Sequence, residues 1–129
     1  MIEVEKRDGS IVVFDSSKIF SAISKAFDSL HMEKDDAIIN LLVLRATADF
    51  QTKIKDNRIS VEMIQDSVEK TLSESGYYPV AKTYILYRKQ RENVRKIQST
   101  ANEYIHLVNS YLHDNISLED ENSMATYSV

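Results

Sequence analysis

The stretch EKRDGSIVVFDSSKI, residues 5–19, decides how the chain begins to fold. Two short β-prone runs, IEVEK at 2–6 and IVVF at 11–14, flank Asp8-Gly9. An Asp-Gly pair between apolar runs predicts a hairpin, because the favoured two-residue turn needs positive φ at both central residues. Asp15 or Ser16 is then a suitable N-cap for a helix. The same unit holds three cations: Lys6 and Arg7 beside the turn, and Lys18 in the first helical turn. Strand alternation points Lys6 and Arg7 to opposite sides unless the turn twists them. Lys18 works against the helix dipole unless an anion sits at that end and uses the free N–H groups. A polyanionic ligand would explain the cations. A solvated hairpin with ordinary surface lysines is the alternative.

Outward from this unit the pattern is helical. Ile19, Phe20, Ile23, Ala26, Phe27 and Leu30 recur at spacings of three and four. Asp35 and Asp36 open a second helix, with Ile38, Leu41, Leu42, Leu44 and Ala48 read as its apolar side. KIKDNR, residues 53–58, reads as a polar loop. Ser60 reads as an N-cap, with Glu62 in the dipole-favoured first turn and Val61, Ile64, Val68 and Leu72 as the stripe of a third helix. Gly76 ends it and Pro79 fits the first turn of a fourth, from about Val80 through Val94 or Ile97. A later helix is expected over roughly Thr100 to Leu112, followed by an acidic, polar tail. The predicted fold is mainly α: a short β-hairpin cap on a bundle of four helices, with a C-terminal helical extension. A lone hairpin is marginal by itself, so it must pack on the helices.

Composition narrows the function. The 129 residues allow one domain with an appendage, and 43% hydrophobic residues suffice for a core. The absence of cysteine excludes disulfides, thiolate zinc sites and thiol or thiyl chemistry carried by these residues. No apolar run is long enough to span a bilayer and no signal-peptide core is present, so a cytoplasmic location is the expectation. The net charge of −4 argues against nucleic acid as a partner. The charge is uneven, however: Lys82–Lys96 has six bases and one acid, and Asp114–Glu121 has four acids and no base.

The basic segment, AKTYILYRKQRENVRK, interleaves tyrosines with arginines. Tyr84, Arg88 and Arg91 share a helix face, and Tyr87 lies one turn from Arg91. A ring beside a guanidinium can stack a base and clamp a phosphate, but two core tyrosines above a solvated arginine stripe would give the same spacing. His31, His106 and His113 lack metal-ligand spacing, and Glu119, Asp120 and Glu121 read as a solvated tail. There is no Walker loop, dinucleotide fingerprint or nucleophile elbow, so any nucleotide must be held by another geometry.

Three blocks in order, VEKRDGSIVVFDSSKIFSAISKAF, ISVEMIQDSVEKTL and GYYPVAKTYILYRKQRENV, resemble the ATP-cone, the regulatory nucleotide-binding domain of ribonucleotide reductases. The resemblance covers most of residues 2–95. It implies a short β-cap over a four-helix bundle and an effector site for ATP and dATP between cap and bundle. By position, Lys6 and Arg7 would meet phosphates, Asp15 and Lys18 would lie close to ribose and phosphates, and Val4 and Val12 would border the pocket. Gln65 would make a polar contact, and Tyr87 and Arg91 would line the base and phosphate side. Val12 and Val61 are apolar where some relatives have polar contacts. Mg²⁺ is expected with the triphosphate, held through water by Asp15 or by the phosphates.

The boundaries expected are 1–96 for the cone and 97–129 for a linker helix and acidic tail. VNSYLHDNISLEDENSMATYSV, residues 108–129, resembles the junction where the anaerobic, glycyl-radical ribonucleoside-triphosphate reductase passes into its catalytic barrel. On that resemblance the chain is a regulatory fragment without catalysis, its partner the catalytic domain of the parent reductase. A stand-alone cone and self-association into a homo-oligomer stay open. An ATP-cone repressor of reductase genes would call for zinc-binding cysteines, and there are none. In the family ATP permits activity and dATP shuts it down, which implies a population shift between states of different affinity. The competing reading is a helical protein- or DNA-interaction module, marked by an exposed apolar patch and indifference to ATP.

Overall fold

The computed structural model describes residues 1–112; the acidic tail and its resemblance to a reductase junction lie outside the described residues. The chain divides into two compact units, Met1–Ile85 and Leu86–Val129. The order is β1 (Glu3–Glu5), β2 (Ile11–Val13), α1 (Ser16–Ser29), α2 (Asp36–Gln51), β3 (Arg58–Ser60), α3 (Val61–Glu74) and α4 (Tyr78–Leu112). The described residues are mainly helical, as predicted, with four helices and a small sheet. No helix among the described residues is long and apolar enough to cross a membrane.

The cap is larger than a hairpin. β1 pairs antiparallel with β2 and parallel with β3, in the order β2-β1-β3. Val12, Val4 and Ile59 lie abreast across the three strands. Val4 and Ile59 are buried and Val12 packs against the same core, which takes in Ile19, Ile23 and Phe27 of α1, Ile39, Leu42 and Phe50 of α2, and Val68 and Leu72 of α3. The Phe14 ring meets the Phe50 ring edge-on at 5.5 Å, and Phe27 meets Tyr77 at 5.5 Å. One apolar row per strand thus seals the sheet onto the helices, which stabilises a sheet of three-residue strands.

The turns reverse the expected chemistry. In the β1–β2 loop Gly9 N–H donates to the Lys6 carbonyl at 3.0 Å and Lys6 N–H to the Ser10 carbonyl at 2.8 Å. Only Gly9 has positive φ, at 86°, so Asp8 is not the left-handed residue the two-residue turn requires. The loop is a three-residue turn closed by a glycine bulge. The Asp8 carboxylate accepts from Ser10 N–H at 2.9 Å and from Ser10 Oγ at 2.6 Å, which holds its pKa below the usual carboxylate value. The two-residue turn with both φ positive occurs instead at Asp56 (53°) and Asn57 (59°), where Lys55 and Arg58 exchange two backbone bonds. Asp and Asn tolerate this region better than other side chains do. That turn lies inside the segment read as a polar loop and delivers β3, whose first residue, Arg58, ends that segment.

Caps define the helices. Asp15, Asp35 and Ser60 accept from the N–H groups of Ser17, Ala37 and Met63 at the starts of α1, α2 and α3. At the end of α3, Gly76 (φ 87°) allows Tyr77 N–H to reach the Leu72 carbonyl and Gly76 N–H the Ser73 carbonyl, a glycine-terminated double bond. The apolar side of α2 departs from the prediction. Ile39, Leu42, Val43, Ala46 and Phe50 are buried, whereas Ile38, Leu41 and Leu44 are exposed. This helix is apolar on both sides, so spacing alone could not choose the inward face. The two helices predicted after Pro79 are one, 35 residues long. No glycine or proline interrupts it after Pro79, and nothing else in KIQST stops a helix.

A polar network joins α2 to α3. The fully buried Ser67 donates from Oγ to Asp49 Oδ2 at 2.7 Å, and Lys70 Nζ donates to Asp49 Oδ1 at 3.0 Å. The Ser67 bond and then the Lys70 contacts hold the Asp49 pKa below 3.8. Its contribution to stability is therefore complete above that value and is lost as pH falls through the depressed folded pKa. Asp49→Asn keeps an acceptor for Ser67 but removes the charge. It is expected to cost about 0.5–1 kcal/mol at neutral pH, with the gap from the native chain narrowing in denaturant melts below pH 3.8. The turns give a second expectation. Asn57→Gly holds or raises the melting temperature, because glycine enters positive φ freely, and Asp8→Gly lowers it, because the Ser10 bonds go.

Candidate nucleotide-effector site

The predicted site residues fall in both compact units. In the first, the sheet register brings the hairpin loop to α3. Glu5 pairs with Ser60, the residue that caps α3, so the chain after Glu5 advances beside the first turn of that helix. Arg7 uses this proximity: its Nη2 donates to Gln65 Oε1 at 2.8 Å, and its Nε stands 3.3 Å from Glu62 Oε1. Glu62 and Gln65 are three apart and so share a helix face. The turn thus carries Arg7 onto α3, while the exposed Lys6 closes the last rung of the hairpin.

Asp15 and Lys18 meet at the start of α1. Asp15 Oδ1 accepts from Ser17 N–H at 3.0 Å and from Ser17 Oγ at 2.7 Å. The Ser17 hydroxyl, its N–H and then the Lys18 charge hold the Asp15 pKa below the usual carboxylate value. Asp15 is therefore an ionised cap, with Oδ2 left for further contacts. The first turn of α1 holds no acid, so the charge beside Lys18 is that of the Asp15 cap. Val4 and Val12 are sheet-core residues paired with each other, and Val4 is buried among apolar neighbours.

The tyrosines of α4 separate cleanly. Tyr84 is 7% exposed and belongs to the core of the first unit, whereas Tyr87 is 42% exposed. In the second unit the Arg91 guanidinium carbon stands 5.6 Å from the centre of the Tyr87 ring, a cation–π pair. Of the predicted Tyr84–Arg88–Arg91 face, Tyr84 is thus a core residue, whereas Arg91 pairs with the more exposed Tyr87. The sequence marks Glu62 only as an acid suited to the helix dipole, whereas the fold also pairs it with Arg7. The signal was present as an acid and an amide three apart in the helix that follows a parallel strand.

Among the described residues no group of three or more histidines or carboxylates is placed to hold a metal ion. A shallow groove between α2 and α3, lined by Arg45, Ala48, Asp49, Thr71, Glu74 and Ser75, shares no residue with the predicted site.

The ATP cone domain family matches residues 2–93. The chain is 36% identical over 120 residues to the ribonucleoside-diphosphate reductase subunit alpha of Chlamydia pneumoniae, an alignment spanning 87% of this chain and 12% of that protein. It is 40% identical over 103 residues to the vitamin B12-dependent ribonucleoside-diphosphate reductase of Thermoplasma acidophilum (73% of this chain, 12% of that protein). It is 32% identical over 96 residues to the anaerobic ribonucleoside-triphosphate reductase of Haemophilus influenzae (74% of this chain, 13% of that protein). The chain thus spans about an eighth of the length of these relatives. With a match that runs from the first strand into the fourth helix, the chain belongs to the ATP-cone family.

Proposed function

We propose that this chain is an allosteric effector-binding domain that takes ATP or dATP and regulates the overall activity of a ribonucleotide reductase. The observation that carries the reading is membership of the ATP-cone family over residues 2–93. Lys6, Arg7 and Lys18 supply cations for the phosphates, and Arg7 is held in place by Gln65. Asp15 lies toward the ribose and phosphates, with Mg²⁺ reaching it through water, where the ion would offset phosphate charge. Val4 and Val12 form the apolar floor of the sheet, and Tyr87 with Arg91 takes the base and phosphate side. These roles follow the family resemblance, residue by residue.

The chain itself carries no catalysis on this reading. Residues 1–96 form the cone, and 97–129 lead toward a catalytic domain of the parent reductase. The motif at 108–129 favours an anaerobic triphosphate reductase as parent. The identities of 36% and 40%, against 32%, favour a diphosphate reductase. In either parent the domain would report on deoxyribonucleotide supply. Each nucleotide favours the state for which it has the higher affinity, and only that difference can shift the population.

The exposed Ile38, Leu41 and Leu44 favour a second reading, a protein-interaction module indifferent to nucleotide. Calorimetric titration of the chain with ATP and dATP, with and without Mg²⁺, separates the two. Micromolar binding of both is expected, weakened about tenfold or more in Lys6→Ala and in Arg91→Ala, the loss of one charge-assisted contact each. Absence of heat and of any thermal shift with either nucleotide would overturn the effector reading in favour of the second.

A further inference from the structure

Arg7 is already engaged on the side that would serve a phosphate best. Nε and Nη2 form the side edge of a guanidinium, the fork that grips two oxygens of one anion. Here Glu62 Oε1 stands at Nε and Gln65 Oε1 accepts from Nη2. The pairing is asymmetric in exposure, with the Arg7 side chain 27% exposed and that of Glu62 60% exposed. Glu62 can therefore swing into water without unpacking anything, whereas Arg7 stays bound to Gln65.

We infer that Glu62 is a built-in competitor for the effector's phosphates and sets the affinity of the site. The inference rests on the reading that Arg7 meets phosphate. Gln65 and Glu62 both hold Arg7, but with opposite consequences for an anion. The neutral amide positions the guanidinium at no electrostatic cost. The carboxylate lowers the local positive potential and must yield the fork, or remain beside the incoming phosphate as a like charge. Either course weakens triphosphate binding, and the weakening grows with the charge of the ligand. The α3 N-terminus stabilises Glu62 through the helix dipole, so the acid has a local reason to be there as well. A purely structural acid would alter folding on removal but would not grade its effect by phosphate number.

The test compares Glu62→Gln with the native full-length chain by titration with ATP, ADP and AMP. Glu74→Gln, which removes the same charge from the far end of α3, serves as the control. Glu62→Gln is expected to tighten ATP binding about three- to tenfold, the scale of one exposed like charge a few ångströms from phosphate. The gain is expected to be smaller for ADP, smallest for AMP, and reduced by added salt, while Glu74→Gln leaves affinity unchanged. Native binding of ATP with no gain in Glu62→Gln, or with an equal gain for all three nucleotides, would overturn the role of Glu62 and leave the effector reading standing. No binding of ATP by the native chain would overturn the effector reading and this inference with it.

Discussion

The parallel pairing of β1 with β3 is the constraint on which the first unit depends. Each strand is three residues long, and neither pair would hold alone in water. Val4 is buried because it has Val12 on one side and Ile59 on the other. The same register fixes where α3 begins, since Ser60 is both the last rung of the sheet and the cap of the helix. It also fixes what lies next to the hairpin loop. Once Glu5 pairs with Ser60, Arg7 comes within reach of Glu62 and Gln65. The Arg7 contacts at the loop thus follow from a backbone alignment some fifty residues apart in sequence, rather than from the local pull of one ion pair. An exposed pair is worth too little to organise the fold by itself.

What the sequence disclosed tracks the range of the interaction. The caps at Asp15, Asp35 and Ser60, the stripe of α3 and the glycine stop at Gly76 are local, and all were legible. β3 was not, because three residues following a turn show no periodicity and their partner lies far away in the chain. The inward face of α2 was misread for another reason. With Ile38, Leu41 and Leu44 outside and Ile39, Leu42 and Val43 inside, apolar residues surround the helix and only packing chooses among them. Asp8-Gly9 and Asp56-Asn57 show the limit of turn signals. Both pairs can enter positive φ, yet Asp8 is held out of it by its bonds to Ser10. Among site residues, spacing proposed Tyr84 and Tyr87 together, and burial separated them.

The cations of the predicted site are held in different ways. Lys6 is exposed at the last rung of the hairpin, Lys18 opens a helix that offers no acid in its first turn, and Arg7 is fixed from two sides. Arginine suits the fixed position, because its planar fork loses less freedom per bond than a lysine ammonium does. The lysines keep mobile point charges that can follow a flexible phosphate chain. A site of this kind has one oriented contact and several adjustable ones, all on a protein whose net charge is −4. Any local excess of positive charge that an anion would need therefore has to come from placement, not from composition.

The cations of the predicted site also need counter-charges when no anion is present. Mutual repulsion among exposed charges is modest at physiological salt, but it acts on every unliganded molecule. Glu62 beside Arg7 and Asp15 beside Lys18 each supply a counter-charge to its own neighbour. They differ in commitment. Asp15 is bound to Ser17 twice and caps a helix, so it stays in place whatever the ligand does. Glu62 has the more exposed side chain and can leave. A counter-charge that leaves acts on phosphates, which ATP and dATP share, so it can tune sensitivity to both without telling them apart. Discrimination has to come from a group that feels the ribose 2′ position, and on the proposed placement Asp15, fixed and ionised, suits that better than any of the cations. A hydroxyl can donate to a carboxylate, whereas a cation offers it only the weaker role of acceptor.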